Sequence, residues 1–98
     1  MNWRVSIRPK AKADLVRARD WYEDRCSGLG DELLVAVAET LVRLEAAPEQ
    51  FPFYYRGFRR ALTRRFPYKL FFRIKGDSVI VCRILHGSQD HQEKLGTE

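Results

Sequence analysis

His86 and His91, Cys26 and Cys82, and a run of basic residues in the second half of the chain are the side chains that could do chemistry. Histidine is the usual acid or base near neutral pH. Neither histidine stands in a catalytic pattern, and His86 ends an apolar stretch, where a hydrogen-bonding cap on a sheet is the simpler role. Cys26 has no base beside it in sequence, and Cys82 reads as a small core residue. Cys82, His86 and His91 lack a recognised ligand spacing and a fourth partner, so no metal site is expected. There is no glycine-rich phosphate loop, and no cofactor is implied. The basic run is the stronger signal. Arg56, Arg59, Arg60, Arg64, Arg65, Lys69, Arg73 and Lys75 occur with no acid between Glu49 and Asp77. Such a block asks for an anionic partner: nucleic acid, an acidic protein segment or a membrane surface.

Composition narrows the setting. The chain has 98 residues, 45% hydrophobic, with a formal net charge of +5. That predicts one domain over 1–98 with an adequate core. No apolar run approaches the ~20 residues that span a bilayer. MNWRVSIRPK has no apolar signal region. Two cysteines fit a reducing compartment, so the expectation is a cytoplasmic protein with no membrane partner. The charge is lopsided. Residues 1–50 hold eight lysines and arginines against nine acids, and residues 51–98 hold ten against four.

The elements that must position these residues follow from hydrophobic period. Trp3, Val5 and Ile7 alternate with Arg4, Ser6 and Arg8, a short half-buried strand. Pro9 opens a helix to about Arg25, with Ala11, Leu15, Ala18 and Tyr22 on its apolar stripe. Asp14–Arg17 and Arg19–Glu23 read as ion pairs on its polar side. Gly28-Leu29-Gly30 breaks it. Asp31 is the expected N-cap of a second helix whose stripe is Leu33, Val37, Leu41 and Leu44, widened by Leu34 and Ala38. Ala47-Pro48 stops that helix. Residues 48–57 read as an aromatic-rich loop. Strands are expected at Phe58 to Phe66, Tyr68 to Lys75 and Ser78 to Leu85, with a turn at Gly76-Asp77, then a tail that frays from about residue 90. The expected fold is α+β, in the order β-α-α-β-β-β. A helical hairpin would cover one face of a small, mainly antiparallel sheet.

Strand alternation divides the sheet residues between faces. Leu70, Phe72 and Ile74, with Ile80, Cys82 and Ile84, should meet the helices. Lys69, Phe71, Arg73 and Lys75, with Val79, Val81, Arg83 and Leu85, should lie on an open face. The Arg-rich strand should be an edge, since neither of its faces is cleanly apolar.

The segments WYEDRCSGLGDELL, YRGFRRALTRRFPYKLFFRI and VIVCRILHG, in that order, resemble the RelE/ParE toxin superfamily of bacterial type II toxin–antitoxin modules, and ParE-like members in particular. The resemblance extends from Val5 to Asp90 and implies the same element order. It implies one of two activities. RelE-like members cleave mRNA on the ribosome; ParE-like members inhibit DNA gyrase by binding. Either is neutralised by an antitoxin that often carries acidic residues, in a toxin–antitoxin oligomer.

The cleaving branch can be compared position by position. Lys69 matches a phosphate-contacting arginine, and Arg60 and Arg64 fall near its basic positions. Gln89 stands where that branch usually has arginine, and its C-terminal tyrosine has no counterpart. A nuclease would therefore need Lys69, Arg60 and Arg64 for phosphate and His86 as acid or base, with His91 a weaker substitute. The resemblance favours the ParE-like reading over a RelE-like endonuclease and over a non-toxic relic or binding module, with Arg59, Arg60, Arg64, Arg65, Lys69, Arg73 and Arg83 as the partner-binding set.

Overall fold

The computed structural model describes residues 2–96. β1 (Arg4–Ile7) leads into α1 (Pro9–Arg25) and α2 (Leu29–Ala46). A short 3-10 turn (Pro48–Gln50) follows, then β2 (Phe53–Tyr55), β3 (Phe58–Leu62), β4 (Tyr68–Lys75), β5 (Ser78–His86) and α3 (His91–Leu95). The strands form one sheet in the order β1-β5-β4-β3-β2, with β1 parallel to β5 and the other pairs antiparallel. The hairpin α1–α2 packs on one face, so the α+β arrangement expected from periodicity is the one observed. The main core lies between them, with Leu33, Val37 and Leu44 of α2 against Leu70, Phe72, Val79, Val81 and Ile84 of the sheet. On α2 the buried stripe is completed by Ala36 and Thr40, while Leu34 and Ala38 are exposed.

The strands differ from expectation in three places, each with a local cause. First, the aromatic loop contains β2, which pairs with β3, so the Arg-rich strand is not an edge. Arg56 and Gly57, at φ 45° and 81°, make the two-residue turn between them. Both central residues of that turn type need positive φ, and Arg-Gly is a poor advertisement for it. Second, β3 ends at Leu62. The Thr63 hydroxyl donates to the carbonyl of Phe66 at 2.7 Å and Arg65 sits at φ 71°, so residues 63–67 form a tight turn. Third, β5 carries a bulge. Phe71 opposes Arg83, yet Phe72 opposes Val81, which leaves an extra residue on β5. The bulge inverts part of the expected faces. Val79 and Val81 meet the helices, whereas Ile80 and Cys82 lie on the other side. Arg83, past the bulge, opposes Phe71, but its guanidinium is taken up by Asp14 of α1 and is not available on the open face.

Asp14 explains where Arg83 goes. β1 pairs with β5 only as far as Ile7 and Val81, and the Arg8 amide then donates to the Val81 carbonyl. Pro9 takes the chain off the sheet into α1, which leaves the next amides of β5 without a strand partner. Asp14 on α1 supplies one. Its Oδ2 accepts from the Ile84 amide at 3.0 Å and from Arg83 Nε at 2.7 Å; its Oδ1 accepts from Arg83 Nη2 at 2.8 Å. Arg17 adds a contact at 2.8 Å, as expected. Asp14 is nevertheless a buried tie between helix and sheet, not a residue of the polar face.

The helical hairpin is closed by Glu23. Its carboxylate accepts from the amides of Gly28 and Gly30, at 2.9 and 3.0 Å. These are amides that the start of α2 would otherwise leave unpaired. Glu23 thus does the capping expected of Asp31, and Arg19 turns to Asp31 instead of Glu23. Gly28 takes φ 89°, and Gly30 lets the helices touch: a Cβ there would lie 2.6 Å from the Arg19 carbonyl oxygen. This accounts physically for the WYE…GLG pattern. Gly30→Ala is expected to cost about 1–3 kcal/mol, because the hairpin must open. Gly87→Ala, whose nearest contact would be an ordinary 3.6 Å, should change stability by about 0.5 kcal/mol or less. Chemical denaturation of the two variants checks the contrast.

The C-terminal segment expected to fray instead folds back as α3. Asp90 caps it by accepting from the Glu93 amide, and Leu95 and His91 are buried against the sheet.

Candidate binding surface

The face of the sheet opposite the helical hairpin is not open. Phe58, Phe71, Cys82, Leu85 and Leu95 form a second small core there, flanked by Tyr54, Tyr55 and Ile80. Phe71, expected to be exposed, is fully buried beneath the His91 ring, 4.9 Å between centroids. The cations of this face stand around that core. Arg60 lies 4.7 Å over the Tyr54 ring and Arg73 4.0 Å over Phe58. Such stacking is worth about 0.5–1 kcal/mol at exposed sites and leaves the charge available. Lys69 shares the face, since it opposes Leu85.

The other members of the expected set have different surroundings. Arg59 opposes Phe72 and so belongs to the helix side. It donates to the carbonyls of Glu49 and Phe51, at 3.2 and 2.7 Å, and pins the turn after α2. Arg64 is exposed in the 63–67 turn. Arg65 is ion-paired with Glu32 at 2.8 Å. Arg83 is 8% exposed and committed to Asp14, which removes it from any docking set. The structure therefore gathers Arg60, Lys69 and Arg73 on one face and places Arg59, Arg65 and Arg83 elsewhere.

Two cations of this face were left out of that set: Arg8 and Lys75. Both were legible. Lys75 continues the Lys69–Phe71–Arg73 alternation. Arg8 follows Arg4 and Ser6 on the side of β1 opposite Val5 and Ile7, which pack in the main core. Among the described residues no acid is ion-paired with Arg8, Arg60, Lys69, Arg73 or Lys75.

His86 lies on the other side of the sheet. It opposes Tyr68, with their rings 5.3 Å apart edge to face, and Tyr68 in turn packs on Tyr22 of α1. Burial pushes the Tyr68 phenol up from its ordinary value, with a smaller contribution from Tyr22. His86 and Tyr68 line a cleft of about 430 Å³ with Trp21, Arg17, Ser88 and Gln89. The Ser88 amide donates to His86 Nδ1 at 3.0 Å, so the neutral ring carries its proton on Nε2. Gln89 Oε1 accepts from the His86 amide at 2.6 Å, which uses it in the turn. His91 Nε2 lies 2.8 Å from the His86 carbonyl oxygen. Strand parity thus puts His86 and Lys69 on opposite faces, and the four residues a nuclease would need are not brought together. Among the described residues no cluster of three or more His, Cys, Asp or Glu could hold a metal, and no helix is long and apolar enough to cross a membrane.

Comparison with known proteins adds the following. A chain of the chromosomal ParDE TA system from P. aeruginosa shares the fold at TM-score 0.77, with 24% identity over 86% of this chain and 95% of that one. A chain of the toxin–antitoxin complex RelBE2 from Mycobacterium tuberculosis gives 0.64, also at 24% identity, over 88% of this chain and 99% of that one. A conserved hypothetical protein from Helicobacter pylori gives 0.57 at 20% identity, over 89% and 97%. No curated protein sequence matches. The sequence family described as the ParE toxin of the type II toxin–antitoxin system, parDE, matches residues 5–91. By that match over most of its length, the chain belongs to the ParE toxin family of type II toxin–antitoxin systems.

Proposed function

We propose that this protein is a toxin that acts by binding its cellular target, with DNA gyrase as the candidate target, and that an acidic antitoxin neutralises it. One observation carries the binding reading: His86 and the cations Arg60 and Lys69 face opposite sides of the sheet. A phosphodiester held by the cations would be out of reach of the imidazole, and general acid–base catalysis needs hydrogen-bond reach. Gln89 is occupied in a turn and brings no charge to a developing phosphorane. Family membership supports the antitoxin, and the unpaired cations of the second face supply what an acidic segment would meet.

Supercoiling by purified gyrase with added protein tests the target. Dose-dependent inhibition is expected; unchanged supercoiling across a wide dose range removes gyrase. The competing activity is ribosome-dependent mRNA cleavage. Primer-extension mapping after induction should show no new ribosome-linked cuts, and their appearance would replace binding with catalysis.

A further inference from the structure

On the second face, the half of β5 nearest the β4–β5 turn lies outside the cover of α3. A groove of about 370 Å³ runs there, lined by Phe58, Ile80 and Cys82 and by Arg8, Arg73 and Lys75. Its layout follows from strand order. β5 lies between β1 and β4 and contributes the apolar floor, Ile80 and Cys82. Arg8, at the end of β1, stands on one bank, and Arg73 and Lys75 of β4 stand on the other. The bulge in β5 is what turns Ile80 and Cys82 to this side. The banks are cationic, the floor is apolar, and none of the three cations is ion-paired among the described residues.

We propose that this groove receives an acidic segment of a protein partner, one aliphatic side chain seated on Ile80 and Cys82 and carboxylates set against Arg8 on one bank and Arg73 and Lys75 on the other. The inference rests on the reading that a neutralising protein partner exists, and it assigns that partner a place. Charge complementarity on both banks selects an anionic occupant. The apolar floor selects a peptide over a nucleic acid. A phosphate backbone has nothing apolar to cover Ile80, and single strands dock by stacking on exposed rings. The only ring in the groove, Phe58, is 1% exposed and lies beneath the Arg73 guanidinium.

A small acidic protein is expected to be encoded in the reading frame adjacent to this one; the test is titration of the full chain with that purified product, at low and high salt. Lys75→Glu and Arg8→Glu should each weaken binding about tenfold at low salt, with the effect shrinking as salt rises. Ile80→Trp, which fills the groove, should weaken it by a similar factor at both salt concentrations. Arg25→Glu, the same charge change at the far end of α1, should stay within about twofold of wild type. Circular dichroism confirms that each variant is folded, and Lys75, with no packing role, keeps the test intact if Ile80→Trp misfolds. Groove variants indistinguishable from Arg25→Glu, with wild type binding well, overturn the groove alone. A wild type that does not bind overturns the partner reading and the groove with it. A DNA duplex that binds wild type more tightly than the partner does, and loses that binding in Lys75→Glu, overturns the choice of an acidic peptide.

Discussion

Asp14→Ala is expected to destabilise the fold by about 3–5 kcal/mol, the range for removing one partner of a buried ion pair. Asp14 and Arg83 have side chains 4% and 10% exposed, so water can replace little of what is lost. Two groups lose the Asp14 carboxylate at once: the Arg83 guanidinium and the Ile84 amide. A domain of this size holds only about 5–15 kcal/mol in all, so the variant should melt at least about 12 °C lower. The double variant Asp14→Leu with Arg83→Met separates the causes. It removes both charges and keeps the volume, so most of the loss should return. About 1–3 kcal/mol should remain, because the Ile84 amide still lacks an acceptor. Thermal denaturation of the three proteins checks the order. A double variant no better than Asp14→Ala would assign the effect to the amide or to packing, not to the charge pair.

Reversing Arg60, Arg64 and Lys69 together to glutamate should slow association with the acidic partner about 10- to 100-fold at low salt. None of the three is ion-paired among the described residues, so their field is available for steering. Dissociation should change much less, since the steering field acts before the close contacts form. The difference from wild type should largely vanish near 1 M salt, where the Debye length is about 3 Å. Stopped-flow association at several salt concentrations reads this directly. Association unaffected at low salt would mean that the basic half of the chain does not steer its partner.

The sequence made the helices, the element order and β4 legible because each has an uninterrupted hydrophobic period. Leu70, Phe72 and Ile74 face the hairpin as alternation requires. It misled at β5 because a bulge adds one residue to one strand only, and VIVCRIL is apolar enough to read the same in either parity. Arg83 keeps the expected register opposite Phe71; what alternation did not show is Asp14, which takes up its guanidinium. Asp14 could not be told from a surface carboxylate, since its partners are 69 and 70 residues away. Arg17 at i+3 offered a sufficient local explanation. Glu23 was assigned to Arg19 by the same local logic, although the two glycines after it were themselves the signal. Strand alternation gave the observed face of Lys69 and Arg73. Arg65 pairs with Glu32 from a turn and Arg83 with Asp14 from a distant helix, neighbours that alternation does not display. Arg59 lies on the helix side, its charge satisfied by carbonyls that no sequence pattern displays.

The central claim is that this fold is toxic by binding and is silenced by a protein that meets its basic face. Growth of a bacterial host on induction of this chain, alone and together with the adjacent acidic reading frame, tests it most directly. Induction alone should arrest growth, and co-expression should restore it. Rescue should weaken when the co-expressed partner is paired with the Lys75→Glu toxin at matched levels. Unimpaired growth on induction alone, with the folded protein demonstrably present, would contradict the account.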